Sequence, residues 1–185
     1  MALTKTPVCD FGKKAEDFKL KSINNKVITL NDVKGEKATL IMFICNHCPY
    51  VKAIIRDLAK DCNELKKDGI NSIAIMSNDT NNYPEDSFEN MIKFADNNKF
   101  GNIEYLIDET QEIAKKYNAV CTPDFFGYNK NSELQYRGRI RELKDLKPIK
   151  NGDSDLRNAM MMISESGKGP KKQIPSMGCS IKWFN

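Results

Sequence analysis

A chain of 185 residues, 40% hydrophobic and 29% charged, is long enough for one domain with a real core. Its net charge of +4 comes from scattered Lys and Arg, which points to a solvated surface and away from nucleic acid. No apolar run approaches the ~20 residues that span a bilayer, and MALTKTPVCDFGKKAEDF has neither an apolar leader core nor a small-residue cleavage site. A cytoplasmic protein with no membrane contact is the expectation.

Residues 1–16 read as loop, with Cys9 exposed or loosely packed. Residues 18–20 and 27–30 read as short strands around the turn Asn24-Asn25. Residues 32–37 form a polar loop with Gly35 as its turn residue. The apolar run 39–44 is the central strand. Directly behind it stand Cys45-Asn46-His47-Cys48, then Pro49 at a place where a first-turn proline is tolerated. Val51, Ile54, Ile55, Leu58, Cys62 and Leu65 recur at helical spacing, and Gly69 caps that helix. Residues 70–76 are the next strand.

Residues 84–86 open a second helix, with Phe88, Met91, Ile92 and Ala95 on its inner face. Residues 103–107 are a strand, and 111–117 a short helix with Ile113, Ala114 and Tyr117 inward. Residues 124–128 and 134–140 pair as a hairpin around the polar loop 129–132. After a loop with Pro148 and Gly152, Asp153 or Ser154 caps a last helix. Its inner face is Leu156, Ala159, Met160 and Ile163. A Gly/Pro/Lys tail begins at about 167 and the chain ends GCSIKWFN. The order β-α-β, an extra helix, then β-β-α predicts an α/β thioredoxin fold. Its central mixed sheet is flanked by helices, with an N-terminal extension and an inserted helix, in one domain spanning 1–185.

Six cysteines, Cys9, Cys45, Cys48, Cys62, Cys121 and Cys179, lack the density of a secreted disulfide scaffold, so working or buried thiols are expected. Cys45 and Cys48, two residues apart where a strand yields to a helix, form a candidate dithiol pair. Free N–H groups and the helix dipole favour a thiolate there. The competing readings are half a zinc site, completed by Cys121 or Cys179, and two inert thiols. His47, the sole histidine, is either a plain surface residue or a group that lowers the pKa of Cys45. Pro123 is either an ordinary edge proline or a cis-proline. Cys62 reads as core. Arg137, Arg139 and Arg141 on alternate positions of a strand read as a solvated face or an anion-binding edge. Cys179 lies just before Ile181, Trp183 and Phe184. Those aromatics are expected to dock on the body, making Cys179 either a buried filler or a resolving thiol.

FICNHCPYVKA at 43–53, SNDTNNYPEDS at 77–87, YLIDETQEIAKKYNAVCTPDFF at 105–126, YRGRI at 136–140 and GCSIKW at 178–183 together resemble the thioredoxin-like, peroxiredoxin-related redoxin-domain (AhpC/TSA-like) proteins. The resemblance implies that Pro123 is a cis-proline facing the CxxC, with Cys121 close by. The chain departs from two related patterns. In the peroxiredoxin motif Pro-x-x-x-Thr/Ser-x-x-Cys, Cys48 takes the cysteine place, Cys45 the Thr place and Ile41 the Pro place. Thioredoxins carry a buried acid six residues before the first cysteine, and here Thr39 stands there.

The expected function is thiol–disulfide oxidoreduction without a cofactor or metal. In it Cys45 is the exposed attacking thiolate, Cys48 resolves, His47 tunes the pKa and Pro123 positions the partner. Cys121 and Cys179 are auxiliary thiols. The expected partners are protein thiols or disulfides, with a thioredoxin or glutathione system as reductant. The alternatives are an antioxidant thiol peroxidase acting on hydrogen peroxide or an organic peroxide through Cys48, and a non-catalytic redox sensor or zinc-stabilised binding module.

Overall fold

Six consecutive residues, ATLIMF at 38–43, carry one polar side chain between them, a pattern that suits a strand covered on both faces. In the computed structural model, which describes residues 3–149 and 154–184, all six are buried. In chain order the elements begin β1 (Leu3–Lys5), β2 (Lys19–Ser22), β3 (Val27–Thr29), α1 (Leu30–Val33), β4 (Ala38–Phe43) and α2 (Pro49–Leu65). Then come β5 (Ile70–Met76), α3 (Phe88–Asn97), β6 (Ile103–Ile107), α4 (Glu112–Lys116), β7 (Cys121–Thr122) and β8 (Asp124–Asn129). The chain closes with β9 (Leu134–Tyr136), β10 (Leu143–Lys144), β11 (Lys147–Pro148), α5 (Asp155–Ser166) and β12 (Met177–Ser180).

A seven-stranded sheet runs β3-β2-β6-β5-β4-β8-β9. β4, β5 and β6 are parallel, and the remaining pairs are antiparallel. Strand alternation sends Leu40 and Met42 into a core with α2, α3 and α5, and Ile41 and Phe43 into a second core with α1 and α4. This is the expected thioredoxin fold. α2 buries Val51, Ile54, Ile55, Leu58, Cys62 and Leu65, the stripe its spacing dictates. Gly69 closes the turn after it in the left-handed conformation, φ 77°.

Several elements differ from the sequence reading. The start of the expected 32–37 loop belongs to the helical turn α1. The Thr29 N–H donates to Asp32 at 2.8 Å and the Asp32 N–H to Thr29 at 3.4 Å, a reciprocal cap. Pro84–Asp86 is a separate 3₁₀ turn, and Ser87 caps α3. Ile92 is 40% exposed, while Phe94 packs edge-on against Phe100. Asp153 and Gly152 lie outside the described residues, and Ser154 caps α5 by accepting from the Arg157 N–H.

The hairpin strand ends at Tyr136, short of the expected 140, and the three arginines share no solvated face. Arg137 turns inward and donates to Asp124 from Nε at 3.3 Å and Nη2 at 2.9 Å. Arg139 pairs with Asp155, and Arg141 with Asp57 and Asp61. Gly138 permits the bend: a Cβ there would lie 2.8 Å from the Tyr136 ring and 2.9 Å from the Ile174 carbonyl.

The chain ends are also more structured than a loop and a tail. β1 pairs with β12, and β12 with β7, in a second, three-stranded sheet. Trp183 and Phe184 remain 39% and 41% exposed, so they are not the expected anchor. Ile181 is buried instead, and the Lys182 backbone accepts from the Asp79 N–H and donates to Asn78 Oδ1.

Candidate active site

β4 delivers the chain into the middle of the molecule, where the Ile44 N–H still bonds to the Ile75 carbonyl at 3.1 Å. Cys45-Asn46-His47 then turns the chain, and Cys48 is the N-cap of α2, in extended conformation, with Pro49 in the first turn. Pro49 has no N–H to leave unpaired, so it fits there at no cost in hydrogen bonds. Across the site runs β7 and the cis peptide Thr122–Pro123. The Cys45 sulfur is 3.2 Å from Thr122 Oγ1, and the Cys48 sulfur 3.2 Å from the Thr122 carbonyl oxygen. The Cys48 and Cys179 sulfurs are 3.1 Å apart. The structure therefore brings Cys45, Cys48, Pro123 and Cys179 together. Cys121 shares β7, but its sulfur sits 3.6 Å from the Pro123 carbonyl, and burial holds its pKa high. Cys62 is core, as expected, and Cys9 is half-buried with its pKa pushed up to about 11 by burial.

The two CxxC thiols are not in the expected states. Cys45 is buried, 1% exposed, and its pKa is raised well above the usual value. Its hydrogen bond to Cys48 is the main cause, followed by burial and the charge of Asp86. Cys48 is the thiol whose pKa is lowered, from 9.0 to about 5. The Cys45 thiol contributes most, and the Cys179 thiol and the backbone N–H groups of Val51 and Cys179 add to it against the effect of burial. Cys48 is itself fully buried, so the two thiols differ in the donors around them rather than in exposure, and the start of α2 adds to those around Cys48. First-turn N–H groups converge on the N-cap residue, and the N-cap is Cys48.

His47 does not act on Cys45 through a free ring either. It stacks on Tyr83, with ring centroids 5.5 Å apart and planes 7° from parallel. Its Nδ1 lies 2.7 Å from Asp86 Oδ2. Asp86 is fully buried and also accepts from the Asn46 N–H and Asn78 Nδ2, each at 2.8 Å. The Asn46 side chain accepts from the Tyr105 hydroxyl and donates to the Glu85 carbonyl. Asp86, Asn78, Tyr105 and Thr122 thus hold the CxxC loop, and sequence reasoning assigned none of them. The block at 77–87 held both Asn78 and Asp86 in plain sight.

Donor atoms of Cys45, His47 and Asp86 all lie within 4.8 Å of one another, a set that could hold a metal ion. This set leaves out Cys48, unlike the zinc site considered from sequence. Each of its donors already has a partner: Cys45 has Thr122, while His47 and Asp86 have each other. A cleft of about 450 Å³ adjoins Pro123, bounded by Tyr50, Ile140, Ile174, Ser176 and Met177.

The AhpC/TSA family matches residues 11–142, well over half of the chain. The protein belongs to the AhpC/TSA family. Its members are thioredoxin-fold redox proteins, and this chain shares that fold and broad function. An uncharacterized conserved protein from Geobacillus kaustophilus is 41% identical, with TM-score 0.93 over 100% of this chain and 97% of that one. A hypothetical protein from Sinorhizobium meliloti is 34% identical, with TM-score 0.90 over 98% of each chain. A secreted disulfide oxidoreductase of Mycobacterium tuberculosis shares the fold at 16% identity, TM-score 0.54, over 64% of this chain and 80% of that one. Among curated proteins, none matches.

Proposed function

We propose that this AhpC/TSA protein is a thiol–disulfide oxidoreductase in which Cys48 attacks and Cys45 resolves. The observation that carries this reading is Cys48 itself, the N-cap thiol of α2 with a lowered pKa, its sulfur 3.1 Å from that of Cys179 and with the Cys45 thiol in the same loop. The Cys48 thiolate attacks one sulfur of a partner disulfide. A Cys48–partner bond forms, the partner's S–S bond breaks, and one partner thiolate leaves. Cys45 then attacks the Cys48 sulfur, closing Cys45–Cys48 and releasing the second partner thiol. The partner has gained two electrons and the enzyme has lost two. A thiol reductant of the glutathione or thioredoxin kind reverses the sequence, and a cytoplasmic setting that supplies it is part of the proposal.

Cys45 must lose a proton to attack. His47, held by Asp86 within 4.8 Å of the Cys45 sulfur, is the acceptor in this reading. It takes the task that the buried acid performs in thioredoxins, where this chain has Thr39. The cleft beside Pro123 offers the partner segment a place to lie. The experiment is turnover of oxidised glutathione or a peptide disulfide by the parent and by Cys48→Ser and Cys45→Ser. Cys48→Ser is expected to be inactive, and Cys45→Ser to be attacked at Cys48 still but to form no Cys45–Cys48 disulfide. Full activity in Cys48→Ser ends the proposal.

One observation favours a peroxidase as second reading: Cys48 occupies the peroxidatic place of the peroxiredoxin motif and carries the lowered pKa. Against it, no arginine among the described residues is hydrogen-bonded to Cys45, Cys48 or Thr122, and Arg137, Arg139 and Arg141 are paired with carboxylates. Peroxide consumption, measured beside disulfide turnover, decides between them.

A further inference from the structure

The third sulfur of the site comes from the far end of the chain. β12 lies antiparallel along β7, with Cys179 opposite Thr122 and Ser180 opposite Cys121. An extended segment added to a strand edge is a general way to present a side chain to a fixed site, and here the chain supplies that segment itself. Gly178 lets it come close: a Cβ there would fall 2.1 Å from the Thr122 carbonyl oxygen. On one side of Cys179, Ser176 Oγ donates to the Pro123 carbonyl at 2.9 Å, and Ser176 exchanges backbone and hydroxyl bonds with Thr6. On the other side, Lys182 bonds to Asn78 and Asp79. Cys179 is therefore fixed on both flanks with its sulfur 3.1 Å from that of Cys48. A disulfide needs about 2.05 Å, so closure asks for a movement of roughly 1 Å. A filler role would need only volume at this position, not a sulfur aimed at the helix N-cap thiol.

We infer that Cys179 is a third redox-active thiol, the internal disulfide partner that resolves Cys48. The inference rests on the thiol–disulfide reading and inserts one step into it: Cys179 releases the partner, and Cys45 then closes the Cys45–Cys48 disulfide. Once Cys48 carries a partner sulfur, Cys179 attacks the Cys48 sulfur. The Cys48–Cys179 bond forms, the Cys48–partner bond breaks, and the partner leaves as a thiolate that takes the proton Cys179 gives up. Cys45 then attacks Cys48, giving its proton to His47, the disulfide moves to Cys45–Cys48, and the departing Cys179 thiolate takes that proton up to return to the thiol. The second step transfers no net electrons. It resets the C-terminal strand.

The test uses the full chain and oxidised glutathione as the probe. Reduced parent protein is oxidised, quenched with acid, alkylated and mapped by mass spectrometry without reduction. A Cys48–Cys179 linked peptide is expected. In Cys45→Ser, glutathione on Cys48 should still be released, with Cys48–Cys179 left behind. In Cys45→Ser/Cys179→Ser it should stay attached. The inference is overturned if the parent yields only Cys45–Cys48 and Cys45→Ser retains glutathione as fully as the double variant does. If glutathione attaches to Cys48 in no variant, the oxidoreductase reading fails and takes this inference with it. Attachment of glutathione to Cys48 in the double variant shows that the substituted protein keeps a working site, so retention in Cys45→Ser reads the chemistry and not misfolding.

Discussion

Asp86 is one carboxylate that sets the charge at one thiol and the shape of one loop. Its negative charge faces Cys45 and helps to keep that thiol protonated. Asp86→Asn removes the charge, so the pKa of Cys45 should fall, and His47 should lose the acceptor that fixes its ring. Thiolate absorbance against pH, in a Cys48→Ser background, reads the first effect, and an unchanged Cys45 titration would refute it. The Asn46 and Asn78 donors also lose a charged acceptor, at about 1–3 kcal/mol for each donor left unpaired. At this scale local spacing singled out Cys45, Cys48 and His47, while Pro123 entered as a cis-proline only through the family resemblance, and Thr122–Pro123 is indeed cis. The sequence hid Asp86 because His47 and its partner are 39 residues apart. It pointed to an exposed Cys45, whereas that sulfur is buried against Thr122, a residue 77 positions further along the chain.

At the level of elements, the apolar runs announced themselves: β4, β5 and β6 fall within a residue of where periodicity puts them, and α2 ends at Leu65 with a 3₁₀ turn carrying the chain on to the Gly69 cap. Their burial on both faces or along one stripe leaves few other solutions. The β9 segment failed for a physical reason. Arg137, Arg139 and Arg141 alternate as a half-exposed strand would, yet each leaves the pattern to meet a carboxylate on another element. The Arg137 pair is the costly one, because Arg137 is 7% exposed and Asp124 not at all. Arg137 also lies over the Phe126 ring, 4.5 Å from its centroid, and donates to the Asn118 carbonyl. Burial already raises the pKa of Asp124, and the guanidinium is what opposes that. Arg137→Ala should therefore destabilise the protein by about 3–5 kcal/mol, since it strands a buried carboxylate. The midpoint of urea unfolding measures it. A shift no larger than that of a surface substitution would show that Asp124 is relieved by water or by its own proton.

Across the whole molecule, the two chain ends meet at the site. Leu3 pairs with Cys179, and Cys179 with Thr122, which no local pattern could disclose because the pairing spans nearly the full chain. Since three thiols converge there, global stability should carry their titration. Cys48 has a folded pKa of about 5 against an ordinary 9.0. Between those values the unfolded chain binds more protons at this thiol than the folded one, so stability rises with pH through the window. The contribution is fully present above 9.0 and is lost as pH falls through about 5. Cys45 and Cys179 have the opposite sign. Their raised pKa values keep them protonated in the fold, and their contribution is lost as pH rises above 9.0, through about 12 for Cys179. The thiols together therefore favour the fold most near the ordinary thiol pKa. Urea midpoints of the reduced parent, taken from about pH 5 to about pH 9, should climb more steeply than those of Cys48→Ser. Parallel profiles for the two proteins would mean that Cys48 is an ordinary thiol, and the attacking role assigned to it would go with that result.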